Sequence, residues 1–121
     1  AGRPVPEGVT VKGLVSADEL VSLYRRAACL VFPSLYEGFG QPPLEAMACG
    51  CPVASSNVAA LPEACGEAAV LFDPTDAEDI AAVVAAVLKS PDRLVAAGLE
   101  RAARVTWAEA ARRHEAIYRS L

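Results

Sequence analysis

The chain has 121 residues, of which 54% are hydrophobic and 21% are charged, so it can bury one core and is too apolar for a disordered segment. Its net charge of -4 argues against a nucleic-acid-binding protein, which usually carries a basic face. The longest apolar helical run, residues 80–88, is too short to cross a membrane, and the N-terminal residues lack the apolar segment of a secretory signal, so we expect a soluble cytoplasmic protein.

The first half of the chain predicts alternating strands and helices. Residues 9–15 have the pattern of a short strand, and residues 16–19 form a capping box that begins a helix with Tyr24 on its apolar face. Residues 29–33 are continuously apolar, as in buried parallel strands. A second helix of about two turns is predicted at 42–49, because prolines suit a first helical turn and a glycine follows the last one.

The second half predicts two more strands and then three helices. The strands are expected at 52–56 and 68–72, with a possible helical turn at 61–65. The N-caps predicted for the three helices are Thr75, Ser90 and Thr106. This order predicts an α/β fold, with a parallel sheet of about four strands, helices on both faces and a helical tail. Because open sheets of this class often have five or six strands, we expect a single but incomplete domain.

The stretch SLYEGFGQPPLEAMACG carries the features that point to a ligand. Glu37 and Glu45 lie on either side of Gly38 and Gly40, in a loop that follows a predicted buried strand. Ligands of open parallel sheets bind at the carboxyl ends of the strands. Glycines let backbone amides approach a ligand closely, and the helix that follows directs its N-terminal N–H groups toward the same space. A phosphate could be held there without basic side chains.

The charge distribution agrees with that hypothesis, since residues 27–88 include eight acidic residues and no Lys or Arg. An ionised carboxylate accepts hydrogen bonds from adjacent hydroxyls, such as those of riboses and hexoses. The pattern therefore predicts a nucleotide-sugar site. Three alternatives stay open: the glycines equally fit a tight turn, Glu45, which is expected in the first turn of the helix, equally fits the helix dipole, and paired carboxylates also occur in hydrolases. A nicotinamide-binding loop is disfavoured, because Pro43 occupies the third glycine position of GxGxxG.

The segment FPSLYEGFGQPPLEAMACGCPVASSNVAALPEACGEAAVLFDPTD closely resembles the retaining GT-B glycosyltransferases of group 1, a family 4-like group with an E-x7-E motif. The resemblance extends from Val9 to Tyr118. It implies the Rossmann-like, C-terminal half of a two-domain enzyme. Residues 1–121 would then be an incomplete nucleotide-sugar donor-binding domain, without the N-terminal domain that carries the acceptor site.

The resemblance also implies roles for individual residues. Glu37 would contact the transferred hexose as the catalytic residue, and Glu45 would hold the ribose. Residues 12–15 would border the nucleotide base. The residues assigned to donor binding are Gly38, Phe39, Gly40, Leu44 and Glu45.

The expected reaction is transfer of a hexose, with retention, from a nucleoside-diphosphate sugar to a glycan, lipid or small-molecule acceptor. No metal or other cofactor is expected, and the full-length protein would be cytoplasmic or at the inner face of a membrane. The basic residues that clamp the diphosphate in the family have no counterpart here, so residues 1–121 alone are expected to be inactive. The alternatives are a non-catalytic nucleotide-sugar-binding subunit that needs a partner chain and, less well matched, a type-B epimerase or phosphorylase.

The remaining polar residues have simpler explanations. The four cysteines have no zinc-site spacing and are expected to be reduced thiols in the core. Asp73 and Asp76 fit helix capping better than a metal site. Residues 55–57 fit a turn or the wall of a sugar pocket equally well. The residues expected to be structural or solvated are Glu63, Trp107 and His114.

Overall fold

The computed structural model describes residues 4–36 and 40–105. The helices are α1 (Ala17–Arg26), α2 (Gln41–Ala48), α3 (Leu61–Cys65), α4 (Ala77–Lys89) and α5 (Asp92–Arg104). The strands are β1 (Leu30–Phe32), β2 (Val53–Ser56) and β3 (Val70–Phe72), and a 3-10 turn occupies Gly66–Ala68. None of the helices in these ranges has both the length and the apolar character needed to cross a membrane.

The three strands form one parallel sheet in the order β1-β2-β3. The central strand β2 pairs with both neighbours, so that Ala54 lies beside Val31 of β1 and Val70 of β3. Each strand is separated from the next by helix, which is how parallel neighbours must be connected. The predicted α/β class with a Rossmann-like parallel sheet is therefore confirmed.

The prediction of a further strand at residues 9–15 is wrong. These residues form no strand and pair with no strand of the described sheet. Their apolar side chains face solvent, with Val11 72% exposed and Leu14 fully exposed. A strand needs a neighbouring strand to receive its backbone hydrogen bonds. The apolar residues of 9–15 resemble those of a strand, but no described strand lies beside them to pair with.

Helices cover both faces of the sheet, as predicted. Successive residues of a strand point to opposite faces. On β2, Val53 belongs to one buried cluster with Met47 of α2, whereas Ala54 belongs to a second cluster with Phe72 and Val87. Helix α5 contributes to both clusters, so it joins the two layers at one side of the sheet.

Two glycines with left-handed backbone bracket α2. Gly40 is the N-cap residue, with φ +82°, and Gly50 follows the helix with φ +75°. A Cβ added to Gly40 would lie 2.9 Å from Cβ of Ala64 and 3.2 Å from Cδ2 of Leu61, whereas a Cβ on Gly50 would meet nothing within 4 Å. Gly40 thus allows both the backbone turn and the close approach of α2 to α3, and Gly50 allows only a turn.

The helix boundaries differ from prediction by one residue at both ends of α2 and at the starts of α4 and α5. Helix α4 is capped by Asp76, whose Oδ1 accepts from the amides of Glu78 and Asp79 at 3.0 and 3.2 Å. The predicted cap, Thr75, instead donates its hydroxyl to Asp73 at 2.6 Å.

Helix α5 begins after Pro91 with no side-chain cap, so the prediction of Ser90 as its cap is also wrong. Helix α2 begins at Gln41 rather than at the first proline. The capping box of α1 is confirmed, since Ser16 accepts from the Glu19 amide. The helix predicted from Thr106, with Trp107 and His114, lies outside the described residues.

The four cysteines are free thiols, as predicted, and Cys51 and Cys65 are buried. Burial raises the pKa of Cys51 to about 11 and also raises the pKa of Cys65. A thiol with a raised pKa stays protonated and unreactive at neutral pH. Both residues therefore act as small apolar side chains in the core.

We predict unequal costs for alanine substitutions at the two glycines that bracket α2. Gly50→Ala adds backbone strain of about 1–2 kcal/mol. Gly40→Ala adds similar strain and also an overlap with α3, for a total loss of about 2–4 kcal/mol in the free energy of unfolding. Urea unfolding of the two variants measures the difference, with Gly50→Ala as the matched control. Equal losses would show that the close contact with α3 does not constrain α2.

We also predict that the chain loses stability as the pH rises from about 9 to about 11. The folded chain keeps the Cys51 proton in this interval, because its pKa lies near 11, while the unfolded chain releases it near 9.0. The folded state then binds more protons than the unfolded state, so the free energy of unfolding falls with pH. Urea unfolding under reducing conditions should show a shallower fall in Cys51→Ala than in Val53→Ala, a core truncation without a titrating group. Identical slopes in the two variants would contradict the assignment.

Candidate functional site

The predicted site lies at the carboxyl edge of the sheet. Strand β1 ends at Phe32, and the glycine loop (residues 34–40) connects it to the start of α2. Because the three strands are parallel, the segments that follow β2 and β3 leave from the same edge. The amide of Asn57, just after β2, donates to the carbonyl of Phe72 at 2.9 Å and holds these two segments together.

Half of the predicted site residues can be placed. Glu37, Gly38 and Phe39 lie outside the described residues, and their roles stay predictions. The other three are all carried by α2, with Gly40 as its N-cap, Leu44 in its first turn and Glu45 one residue further. Gly40 is buried, and Leu44 and Glu45 are partly buried.

The N-terminus of α2 offers fewer amide donors than predicted. Its second and third residues are Pro42 and Pro43, which have no N–H group. The amide of Leu44 already donates to the carbonyl of Gly40, at 3.4 Å. Gln41 is therefore the one residue of the first three in α2 that has an N–H group. The sequence signal for this shortage is the pair of consecutive prolines, which also predicts a helix start.

Glu45 lies deeper in α2 than predicted. Because the helix begins at Gln41, Glu45 is its fifth residue, and no acidic residue occurs in the first turn. The prediction of Glu45 as a first-turn residue is therefore wrong. The favourable effect of a helix dipole on a carboxylate fades beyond the first turn. The alternative in which Glu45 merely complements the dipole consequently loses most of its physical basis.

The structure adds Tyr24 to the surroundings of Glu45. Its hydroxyl donates to Oε2 of Glu45 at 3.4 Å, which is longer than the usual O–H···O distance of about 2.5–3.0 Å, so the hydrogen bond is a weak one. Burial, and secondly the negative charge of Glu45, raise the pKa of Tyr24 to about 12, so the phenol stays protonated at neutral pH. The two residues are 21 positions apart on different helices. The sequence pattern predicts Tyr24 on an apolar helix face and contains no signal for this contact.

Two predicted borders of the site are not formed as expected. Ser55 and Ser56 are residues of β2 with no exposed surface, and the Ser56 hydroxyl donates to the carbonyl of Phe32 at 3.1 Å. The Ser56 side chain therefore joins β2 to the end of β1, and both serines are buried rather than exposed to an open pocket. Residues 12–15, predicted as a strand end beside the base, are not in a strand, and Lys12 forms an exposed ion pair with Glu19 at 3.3 Å.

The acidic residues after β3 are engaged by local hydrogen bonds. Asp73 accepts from both the amide and the hydroxyl of Thr75, which lowers the pKa of its carboxyl group. The carboxylate of Asp79 accepts from the amide of Asp73 at 2.7 Å, and Asp76 caps α4. These contacts agree with the expectation that the segment serves helix capping. In the ranges that the structure describes, no three His, Cys, Asp or Glu residues are grouped as metal ligands, and the expectation of a metal-free site stays a prediction.

A cavity of about 390 Å³ lies apart from the predicted site residues. It is formed by α5 and the 3-10 turn, and it is lined by Gly66, Glu67, Ala68, Ala97, Glu100, Arg101 and Arg104. Arg101 donates to the carbonyls of Ala64 and Glu63, at 2.9 and 2.6 Å. The guanidinium thus satisfies carbonyls near the end of α3, where a helix leaves such groups without partners. Its role is structural, and the exposed Glu63 contributes its backbone rather than a carboxylate.

Comparison with known proteins identifies close relatives. The serotype-specific mannosyltransferase WbdA of Escherichia coli is 41% identical over 102 residues, which cover 82% of this chain and 12% of WbdA. The MMP alpha-(1->4)-mannosyltransferase of Mycolicibacterium hassiacum is 41% identical over 116 residues, or 90% of this chain and 28% of that protein. A sucrose-phosphate synthase from Thermosynechococcus elongatus has a similar structure, with a TM-score of 0.79 and 33% identity, over 92% of this chain and 29% of the synthase chain.

The chain thus spans between 12% and 29% of the length of these three proteins. The match to the family described as glycosyl transferases group 1 extends over residues 2–114, nearly the whole chain. The parallel sheet, the glycine loop at its carboxyl edge and Glu45 on the following helix all fall within that match. The chain therefore belongs to the glycosyl transferases group 1 family.

Proposed function

We propose that residues 1–121 are the donor-binding part of a retaining glycosyltransferase that moves a hexose from a nucleoside-diphosphate sugar to an acceptor. The observation that carries the proposal is the environment of Glu45. Its side chain is partly buried beyond the first turn of α2, at the carboxyl edge of the sheet. Among the described residues, the ion pairs are Lys12–Glu19 and Arg104–Glu100, so no described cation neutralises Glu45. Because no described ion pair occupies it, the carboxylate keeps acceptor positions for the hydroxyls of a sugar.

Each part of the donor has a proposed partner. Glu45 accepts hydrogen bonds from the ribose, and Glu37 accepts them from the transferred hexose. The amides of the glycine loop, including Gly40, face the diphosphate together with that of Gln41 and the positive end of the α2 dipole. The amide of Leu44 donates to the carbonyl of Gly40 within the helix. Leu44 lies near the phosphate or the ribose because it belongs to the first turn of α2.

The complete reaction needs groups beyond this chain. Negative charge develops on the departing nucleoside diphosphate, and donors or cations must stabilise it. Residues 27–88 contain no Lys or Arg. We therefore propose that the diphosphate-binding cations and the acceptor site belong to a further domain or a partner chain, and that residues 1–121 alone are inactive. Retention of configuration, independence of metal and the cytoplasmic location stay predictions.

An amide NMR titration tests the donor site. The chain is titrated with UDP, GDP and ADP and with their glucose and mannose conjugates. We expect saturable shifts at Gly38, Phe39, Gly40 and Leu44 for one nucleotide class. Glu45→Gln should weaken that binding about tenfold or more, because a hydrogen bond to a charged group contributes about 1.5–3 kcal/mol.

Glu67→Gln is the matched control, since Glu67 is an exposed carboxylate on the 3-10 turn, where the separate cavity lies. It should leave the affinity unchanged. Shifts that cluster around residues 66–68 instead of α2 would contradict the proposed location. No saturable shift with any of these ligands at millimolar concentration would contradict a donor site built from these residues alone.

A further inference from the structure

The contact between Tyr24 and Glu45 joins a buried core residue to the proposed ligand-binding carboxylate. We propose that Tyr24 is a positioning residue for Glu45: its hydroxyl holds Oε2 and leaves Oε1 directed to the vicinal hydroxyls of the ligand. The inference rests on the proposed function, because it takes Glu45 as the ribose acceptor. It assigns a role to a residue on α1 that is not part of the E-x7-E motif.

Tyr24 has the rigidity that such a role needs. It is 8% exposed and packs in the same buried cluster as Ala46 and Met47, the two residues that follow Glu45 on α2. The first turn of its own helix is stabilised by the capping bond between Ser16 and Glu19. An aromatic ring packed among core side chains has little freedom. The position of its hydroxyl is therefore set by the core and not by the ligand.

Glu45 is the flexible member of the pair. A glutamate side chain has several rotatable bonds and loses much conformational entropy when it is immobilised. If one carboxylate oxygen is already held, part of that cost has been met before a ligand arrives, which is the general advantage of a preorganised site. A carboxylate has about four acceptor positions, so one bond from Tyr24 leaves enough acceptors for a pair of ligand hydroxyls.

The electrostatics set the direction of the hydrogen bond. Burial and the charge of Glu45 keep the phenol protonated up to a pKa of about 12. Tyr24 is therefore the donor and Glu45 the acceptor throughout the neutral range.

A tyrosine that merely satisfies its hydroxyl in the core would show the same contact. The two roles differ in what they do to binding. A positioning role affects ligands that offer vicinal hydroxyls to Glu45 and has no effect on ligands that lack them. A purely structural role affects both kinds of ligand equally, through the stability or shape of α2.

The test uses the intact protein that carries this chain. Titration calorimetry measures the affinity for UDP, GDP and ADP and for their 2′,3′-dideoxy counterparts, in the unaltered protein and in Tyr24→Phe, Glu45→Gln and the double variant. Tyr24→Phe keeps the ring and removes the hydroxyl. It should weaken binding of the preferred ribonucleotide about 3- to 10-fold, the range for one lost hydrogen bond. It should not change the affinity for the dideoxy compound, and it should cause no further loss when Glu45 is already Gln.

Ser22→Ala, on the exposed side of α1, controls for changes to that helix, and a melting curve of each variant controls for folding. If Glu45→Gln weakens ribonucleotide binding and Tyr24→Phe does not, the positioning role is wrong and the donor site stands. Equal losses for ribose and dideoxy ligands in Tyr24→Phe would assign Tyr24 a structural role and overturn the inference. If no nucleotide binds, or if binding does not depend on Glu45, the donor-site proposal fails and the inference fails with it.

Discussion

The position of α2 depends on two contacts that are too close for ordinary side chains. At its N-terminus, Gly40 lies against Ala64 of α3, where an added Cβ would come within 2.9 Å of another carbon. On its buried face, Met47 lies against Gly98 of α5, where an added Cβ would come within 3.1 Å of the Met47 side chain. Close-packed interiors resist even small displacements. Helix α2 is thus held between α3 and α5 and cannot shift along its axis without a clash.

This packing matters because α2 carries the described part of the candidate site. Ala46 and Met47 are buried, while the adjacent Glu45 is only partly covered and remains able to meet a ligand. Sites built on rigid helices hold their side chains more accurately than sites on loops. The glycine loop then has a fixed end at Gly40, even though residues 37–39 lie outside the described ranges. The contacts that pack α2 into the core therefore also fix the position of the candidate site.

Sequence patterns predicted the elements well where the signal is local. The capping box at Ser16 and the apolar runs around Leu30 and Val70 depend on neighbouring residues alone, and each matches an observed element. The strand expected at residues 9–15 failed because pairing depends on a partner strand, which a side-chain pattern cannot supply. The cap at Asp76 replaced Thr75 because both residues suit a cap by type, and the choice depends on which hydrogen bonds form.

In the candidate site too, local sequence features could be predicted and contacts between distant residues could not. The motif around Glu45 led to the family, and the fold places that residue at the expected edge of the sheet. Its contact with Tyr24 could not be predicted, because it depends on how α1 packs against α2 across 21 residues of chain. The shortage of amide donors at the start of α2 could have been predicted, since Pro42 and Pro43 have no N–H group. Their effect is clear once the helix is known to begin at Gln41.

The left-handed N-cap at Gly40 has a consequence for how this region can evolve. Each residue of an α-helix advances the chain by about 100° around the axis. With the start of α2 pinned at Gly40, the direction in which Glu45 points depends on the number of residues between them and hardly on their identity. Inserting or deleting one residue there would rotate the carboxylate by about a quarter of a turn, away from the Tyr24 hydroxyl. The number of residues between Gly40 and Glu45 is therefore a constraint of its own, separate from what each intervening side chain contributes to packing or binding.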